Sequence, residues 1–291
     1  MNRLSDLMLT SLAPIIWGSS YIVTTQLLPN MDPLSISLLR ALPAGLLLLL
    51  LVRRLPKGIW IARMFVLGAL NFSIFWAFLF FAAYRLPGGI AAILGALQPL
   101  IVILSARAIL GHPIKPLSLL AILAGACGIG LLILTPEAKL DLLGVTAGLF
   151  GAASMAMGIV LSRKWQPPVS ALTFTAWQLT AGGLLILPFM PFSSTDWATI
   201  NTSNVIGLSY LGLIGAALTY VIWLRGIARL QPSSVSVLGF LSPVSATLLG
   251  WLILNETLDW LQLLGALIAL ASVFAAQYAL RPKTAAKTAA V

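Results

Sequence analysis

Long apolar runs separated by short polar connections take up almost the whole chain of 291 residues. A helix needs about 20 apolar residues to cross a hydrocarbon layer of ~30 Å. Ten segments meet that length, so the sequence predicts an all-α membrane protein with ten transmembrane helices. With so little chain left in the connections, we expect every activity to reside in the helices and their ends. The predicted segments are Leu7 to Leu28, Leu34 to Val52, Met64 to Tyr84, Gly89 to Leu110, Leu117 to Leu134, Leu143 to Ser162, Ser170 to Pro188, Val205 to Leu224, Ser233 to Leu254 and Trp260 to Leu280.

The composition favours a membrane protein over a nucleic-acid-binding one. Hydrophobic residues make up 60% of the chain and charged residues 8%, and the mean hydropathy is +1.03. A formal net charge of +10 would suggest a nucleic-acid partner in a soluble protein. Here the basic residues lie between apolar segments rather than on one patch. We therefore expect the lipid bilayer as a partner, and no nucleic acid.

Few residues could bind a metal or carry out catalysis. The chain has one cysteine, Cys127, and one histidine, His112, too few for a Cys/His zinc site. The run from Gly125 to Gly130 matches a dinucleotide-binding glycine pattern, but it lies inside an apolar segment with no preceding soluble strand. We predict no metal, no cofactor and no enzymatic activity. Small residues instead predict close helix packing that makes the fifth and tenth spans scaffold helices: Ala121, Gly125 and Gly128, and Gly265, Ala269 and Ser272.

Basic residues indicate how the chain is oriented, because short loops that carry Lys and Arg stay in the cytoplasm during insertion. With the amino terminus inside, Arg85 and Lys139 are the basic residues that fall outside. The sequence thus predicts a multi-pass protein of the cytoplasmic (inner) cell membrane with both termini in the cytoplasm. The predicted inside residues are Arg3, Arg53, Arg54, Lys57, Arg63, Arg107, Lys115, Arg163, Lys164, Arg225, Arg229, Arg281, Lys283 and Lys287.

An internal repeat becomes visible when the sequence is aligned with itself at an offset of about 144 positions. Near the start of each half the offset is slightly smaller, and it pairs Arg40 with Gln178. Each half holds five predicted spans, and an odd number inverts the second half relative to the first. We predict a first repeat at 1–141, a second, inverted repeat at 142–281 and a short basic cytoplasmic tail at 282–291; chance similarity between Leu- and Ala-rich helices is the alternative. Other aligned pairs are Trp76 with Tyr220, Arg85-Leu86 with Arg229-Leu230, Pro99 with Pro243, and Leu117 with Leu261.

Three stretches resemble a known family: "APIIWGSSYIVTT" in the first span, "LSISLLRALPAG" in the second, and the run from "YLGLIGAALTYV" to "LLGALIAL" near the end. They resemble the EamA branch of the drug/metabolite transporter superfamily, and the strings "LRALPAG" and "YRLPGG" look most like its PecM-type pigment-efflux permeases. The resemblance covers both halves. It implies ten spans, cytoplasmic termini, and carriers that usually export amino acids, pigments, drugs or other metabolites. The chain departs from the family pattern at one place: the second half has Asn255-Glu256 but the first half has Gly111-His112, which argues against a role that needs a matched acidic pair.

Arg40 is the ionisable residue that lies most clearly inside a predicted span, roughly 10 Å below the outer boundary near Pro33. Its guanidinium could face a cavity and hold a substrate carboxylate by paired hydrogen bonds. Alternatively, it could extend toward the interface or satisfy carbonyls at a helix end. The sequence leaves both interpretations open, with Gln178 as the counterpart in the second half.

Other residues inside the spans are candidates for a substrate site or for helix packing. Aromatic side chains could form a cavity wall that accepts varied apolar or cationic solutes. Polar side chains should face inward, where they bind substrate or join neighbouring helices. Each of the repeated prolines Pro99 and Pro243 could kink its helix as a hinge or gate, or as a static bend. The aromatic candidates are Trp17, Tyr21, Trp76, Trp177, Tyr220 and Trp223, and the polar ones are Asn71, Gln98, Gln178 and Ser242.

These observations predict a secondary transporter, an exporter of amino-acid-like or aromatic, pigment-type solutes that uses alternating access around a midplane cavity. A solute channel is the first alternative. An integral membrane enzyme is the second, and one histidine with no mid-span carboxylate argues against it. The substrate, the direction, the energy source and the oligomeric state, monomer or weak homodimer, stay open.

Overall fold

The computed structural model describes residues 3–85, 94–133, 141–255 and 259–280, and every regular element in these ranges is a helix. The predicted all-α class is therefore confirmed for the described residues. Helices that continue through a π-helical or 3-10 stretch carry one number here, and so does α9, whose parts Pro232–Leu238 and Leu241–Leu254 are joined by a turn. They are α1 (Arg3–Leu27), α2 (Pro33–Val52), α3 (59–85), α4 (Gln98–Leu110), α5 (Pro116–Ile133), α6 (Leu142–Lys164), α7 (Ala171–Phe192), α8 (Thr202–Arg229), α9 (Pro232–Leu254) and α10 (Trp260–Ala279).

Eight of these helices, α1 to α3 and α6 to α10, are long and apolar enough to cross a membrane. In the described part of the chain, α4 with its preceding turn (Leu94–Leu110) and α5 (Pro116–Leu131) are apolar but shorter. The predicted fourth span begins at Gly89 and the fifth ends at Leu134, and both residues lie outside the described ranges. The structure therefore describes a membrane protein with many spans, and the count of ten stays a prediction.

Several helices are longer than the sequence predicted. Helix α1 begins at Arg3 rather than Leu7, α3 begins at Ile59, and α8 ends at Arg229. The prediction counted only apolar residues, whereas polar residues in the headgroup layer can continue a helix past the hydrocarbon. The additional turns place charged side chains at the helix ends, where some of them form the ion pairs described below.

Acidic residues begin three of the helices. Asp32, Asp141 and Asp259 accept hydrogen bonds from backbone N–H groups in the first turns of α2, α6 and α10. An aspartate at this position satisfies donors that have no partner inside the helix and interacts favourably with the helix dipole. Asp32, Asp141 and Asp259 thus fix where these three helices start.

Helices α4 and α9 end at repeat-equivalent residues with the same unusual backbone. Gly111 has a φ of 69° and Asn255 a φ of 54°, and both cap their helices in the left-handed region. Glycine and asparagine tolerate this conformation better than other residues. Gly111-His112 and Asn255-Glu256 thus differ in sequence, but the first residue of each pair has the same left-handed backbone.

The helices of the two halves pack in matching pairs. Helix α2 packs on α7, and α5 packs on α10. Helices α3 and α4 both pack on α6, and helices α8 and α9 both pack on α1. This packing is symmetric between the halves. If each helix is replaced by its equivalent in the other half (α1 by α6, α2 by α7, and so on), every pair becomes itself or another pair of the set. The small-residue stripes lie in such a contact, because a Cβ at Gly128 would meet the Gly265 carbonyl oxygen and the Ala269 nitrogen at 2.8 Å.

Helices α3 and α8 contain π-helical stretches at equivalent places in the two halves. The stretches are Ala69–Ser73 in α3 and Tyr210–Leu218 in α8. A π-helical turn interrupts the usual hydrogen-bond ladder, so nearby carbonyls can accept bonds from other groups. The Leu70 oxygen accepts from the Ser154 hydroxyl at 2.8 Å, and the Gly215 oxygen is the centre of the candidate site.

Candidate functional site

The Arg40 guanidinium lies among helices of both halves. Its Nη2 donates to the Gly215 carbonyl oxygen of α8 at 2.8 Å, and its Cζ lies 5.2 Å from the centre of the Trp76 ring of α3. Its Nε is buried and has no hydrogen-bond partner among the described residues. Arg40 therefore turns into the bundle and donates to a carbonyl of a mid-helix π stretch rather than to one at a helix end, and its binding of substrate stays a prediction.

The Gly215 carbonyl collects donors from three helices. Besides Arg40 of α2, the Trp17 indole N–H of α1 donates to it at 3.1 Å and to the Thr219 hydroxyl oxygen at 2.8 Å. Thr219 itself donates to the same carbonyl at 2.9 Å. The π stretch thus supplies one acceptor that fixes a tryptophan and an arginine from the first half against α8.

Five rings surround this point and form what we call the aromatic cluster: Trp17, Phe72, Trp76, Tyr220 and Trp223. Trp17 lies 5.0 Å from Tyr220 and 5.0 Å from Trp223, measured between ring centres. Phe72 lies 4.6 Å from Tyr220 and 5.4 Å from Trp76. The structure therefore brings four of the predicted aromatic residues together with Arg40, and the cluster combines one fixed cation with polarisable ring faces.

The equivalent place in the other half carries no charge. The Asn71 amide donates to the Gln178 side-chain oxygen at 2.7 Å and to the Ser162 hydroxyl at 3.2 Å. The Gln178 amide nitrogen has no partner in the described part of the chain. Since 71 plus 144 is 215, Asn71 occupies the position of Gly215, just as Gln178 occupies that of Arg40. Each half thus reaches the π stretch of the other, with a guanidinium in one case and an amide in the other.

Trp177, which the sequence grouped with the other aromatic candidates, lies away from the aromatic cluster. Its indole N–H donates to the Arg54 carbonyl oxygen at 2.6 Å, and none of the described contacts joins it to the aromatic cluster. It lines a cavity of about 320 Å³ whose wall includes Arg53, Arg54 and Lys57. A neighbouring cavity of about 270 Å³ is lined by Arg225 and Arg229, among others. Both lie at the face that the sequence predicts to be cytoplasmic.

The remaining candidates lie at helix starts or outside the description. Gln98 is the first residue of α4 and is half-buried, and the Ser242 carbonyl oxygen lies against Gly18, beside Trp17. Pro99 and Pro243 lie in the first turns of Gln98–Leu110 and Leu241–Leu254, where a missing N–H breaks no helical bond. The chain turns just before each proline, at Leu97 and at Gly239 and Phe240, and a role of these turns as hinges or gates stays a prediction. The side chain of Tyr21 lies outside the described residues.

Ion pairs join helices at both ends of the bundle. Arg85 at the end of α3 lies 3.1 Å from Asp141 at the start of α6. Asp6 in the first turn of α1 lies 2.8 Å from Arg225 and 3.5 Å from Arg229, near the end of α8. The Arg85 guanidinium lowers the pKa of the Asp141 carboxyl below its ordinary value, and the N–H groups that Asp141 caps lower it further. Asp141 is therefore charged at neutral pH.

Sequence reasoning missed three residues of the site. Gly215 and Thr219 lie in the stretch "YLGLIGAALTYV", which carries the family resemblance but gives neither residue a role, and Phe72 precedes Trp76 by four residues and so lies on the same helix face. The role of Gly215 depends on the π stretch, which has no signature in the apolar sequence around it. Among the described residues, no three His, Cys, Asp or Glu side chains come together as a metal site would require.

Comparisons with known proteins agree with this architecture. The chain matches the EamA-like transporter family twice, over residues 4–134 and 142–277. It is 47% identical to Protein PecM of Dickeya dadantii over 255 residues, which cover 87% of this chain and 86% of PecM. It is 29% identical to the inner membrane transporter YedA of Escherichia coli K12, over 86% of this chain and 84% of YedA. A crystal structure with 19% identity superposes with a TM-score of 0.83, covering 96% of this chain and 99% of the other, which shows a shared fold.

Proposed function

Because the chain belongs to the EamA-like transporter family, we propose that it is a secondary carrier that exports small organic solutes, amino-acid-like or aromatic and pigment-type, across the cytoplasmic membrane. In this proposal ten spans form two inverted halves, both termini lie in the cytoplasm, and the protein works as a monomer or a weak homodimer. The double match to the family and the matching helix pairs support the arrangement in two halves.

The observation that carries the proposal is the environment of Arg40. A buried N–H group without a partner is costly, and a charged one more so. The free Nε of Arg40 lies beside the aromatic cluster, and a carboxylate could bind Nε together with Nη2 if it replaced the Gly215 oxygen. Ring faces of the cluster would then contact the body of the solute. Substrate binding would complete a hydrogen-bonding arrangement that the protein alone leaves incomplete.

The packing of this site favours a carrier over a channel. Four rings of the aromatic cluster are nearly completely buried: Trp76, Tyr220, Trp223 and Phe72 are 3%, 3%, 2% and 0% exposed. A solute could not pass between them without a rearrangement of α1, α3 and α8. That requirement is what alternating access supplies, since one half moves against the other around a fixed site. The matching family and the relative YedA are likewise named as transporters rather than enzymes.

A screen of metabolites in proteoliposomes tests the proposal. Purified protein is reconstituted, and radiolabelled solutes are offered with and without the same unlabelled solute inside. We expect saturable uptake that internal solute accelerates, with anionic or zwitterionic aromatic compounds among the best substrates. Flux that never saturates, or single-channel currents, would identify a channel instead, and covalent change of the solute would identify an enzyme.

A further inference from the structure

The ion pairs at the two ends of the bundle are related by the internal repeat. Adding 144 to 85 gives 229, so Arg85 and Arg229 are equivalent residues near the ends of the equivalent helices α3 and α8. Their partners Asp141 and Asp6 lie at the starts of α6 and α1, which are also equivalent. Asp141 is the last residue of the first repeat and caps α6, so each pair joins the start of the first helix of one half to the end of the third helix of the other.

The two pairs lie at opposite faces of the bundle. Helix α6 has 23 residues and is therefore roughly 35 Å long. Asp141 caps its start, whereas Arg163 near its end donates to the carbonyl oxygens of Ile227 and Ala228. These carbonyls directly precede Arg229 on α8. The pair of Asp6 with Arg225 and Arg229 thus lies a membrane thickness away from the pair of Arg85 with Asp141.

Both pairs involve helices that also form the site. Asp6 is on α1 with Trp17. The two arginines that pair with Asp6 are on α8 with Tyr220 and Trp223. Arg85 is on α3 with Phe72 and Trp76. Near the Asp6 face, α1 and α8 are in close contact, because a Cβ at Gly226 would lie 2.4 Å from the Thr10 hydroxyl oxygen. Separating the Asp6 cluster would part the site helices α1 and α8 at one face, and separating the Arg85–Asp141 pair would part the site helix α3 from α6 at the other.

From this geometry we propose that the Asp6–Arg225–Arg229 cluster and the Arg85–Asp141 pair are the two gates of the transport path, and that they open in alternation. The proposal rests on the proposed carrier function. In the structure both gates are closed. The Asp6 carboxylate is only 10% exposed and has two partners, whereas the Arg85–Asp141 pair is 41% and 35% exposed, so the Asp6 gate is the stronger one.

Cysteine accessibility tests this assignment without any substrate. Cys127→Ser removes the native thiol, and single cysteines are then introduced behind each gate. Thr10→Cys lies one helical turn from Asp6, and Ala147→Cys lies in the buried contact between α3 and α6 beyond Asp141. The measured quantity is the rate at which a maleimide labels each cysteine in protein held in lipid nanodiscs. Asp6→Asn and Asp141→Asn remove one gate each, and asparagine keeps the cap of α6 intact.

We expect Asp6→Asn to raise the labelling rate of Thr10→Cys roughly tenfold, because it breaks a largely buried ion pair. It should lower the labelling rate of Ala147→Cys, because alternating access opens one face at a time. Asp141→Asn should do the reverse, by about two- to fivefold for an exposed pair. Asp259→Asn is the matched control. Asp259 also caps a helix and has no ion pair within the described ranges, so this substitution should change neither rate.

Two results would contradict the proposal that these ion pairs are gates. If both cysteines become more reactive in one variant, the fold has loosened and no alternation exists. If neither rate changes while the unaltered protein still shows saturable counterflow in proteoliposomes, the ion pairs are not gates, although the carrier function stands. Opposite shifts in a protein without counterflow would support the gates and overturn the proposed transport of the solutes tested.

Discussion

At the scale of single residues, Arg40 combines a fixed charge with an incomplete set of partners. Its Nη2 binds the Gly215 oxygen while its Nε has no partner among the described residues. Gln178, the equivalent residue of the second half, is neutral and binds Asn71. The site is thus chemically asymmetric although the helices around it are symmetric, and the asymmetry should decide which solutes bind.

Arg40→Ala should weaken transport of anionic and zwitterionic solutes more than that of neutral ones. Loss of a charge-assisted hydrogen bond of about 1.5–3 kcal/mol corresponds to a half-saturation concentration about ten- to a hundredfold higher. Saturable uptake into proteoliposomes measures it for one solute of each charge type. Gln178→Ala is the control and should affect all three alike. If Arg40→Ala transports the three solute types equally well, Arg40 does not bind the substrate.

Gly158→Ala should destabilise the protein by about 1–3 kcal/mol. A Cβ at Gly158 would lie 2.0 Å from the Asn71 side-chain oxygen, and Asn71 can move away only by giving up its bond to Gln178. Thermal unfolding in detergent measures the change. At Gly95, a Cβ would meet nothing within 4 Å in the described structure, so Gly95→Ala is the matched control. Equal stability of the two variants would show that the Asn71–Gln178 pair is not held tightly.

At the scale of the elements, the π stretches of α3 and α8 position the site. They free backbone carbonyls in the middle of apolar helices, and side chains from the opposite half bind there. The sequence identified both helices as spans, because their apolar length is sufficient. It could not identify the π turns, since an extra residue per turn is stabilised by tertiary contacts such as that of Trp17 with Thr219 rather than by local composition.

Thr219→Val should lower the free energy of unfolding by about 1–2 kcal/mol. Valine keeps the shape of the buried side chain but removes the hydroxyl that accepts from Trp17 and donates to Gly215. Chemical unfolding in micelles, followed by tryptophan fluorescence, measures the loss. Thr219→Ser keeps the hydroxyl and should retain most of the stability. If the valine and serine variants unfold alike, the π stretch of α8 does not depend on this bond.

At the scale of the whole molecule, the spacing of the apolar segments and the internal repeat predicted most of the fold. Apolar length identifies the helices, the offset of about 144 positions pairs Trp76 with Tyr220, and the slightly smaller offset near the start of each half pairs Arg40 with Gln178. The aromatic cluster was predicted in part, because tryptophan and tyrosine inside spans are conspicuous. The ion pairs were not predicted: Asp6 and Arg229 were assigned to loops, and which helix ends meet is decided by packing between the halves.

The central claim is that the two halves enter the membrane in opposite directions around one shared site. Side-specific labelling of single cysteines at Lys57 and Asp196 tests it most directly in a Cys127→Ser background, because both residues are exposed and lie in the equivalent α2–α3 and α7–α8 connections. We expect an impermeant maleimide to label Asp196→Cys on intact cells and to reach Lys57→Cys only after the cells are permeabilised. Labelling of both cysteines from the same side would contradict it.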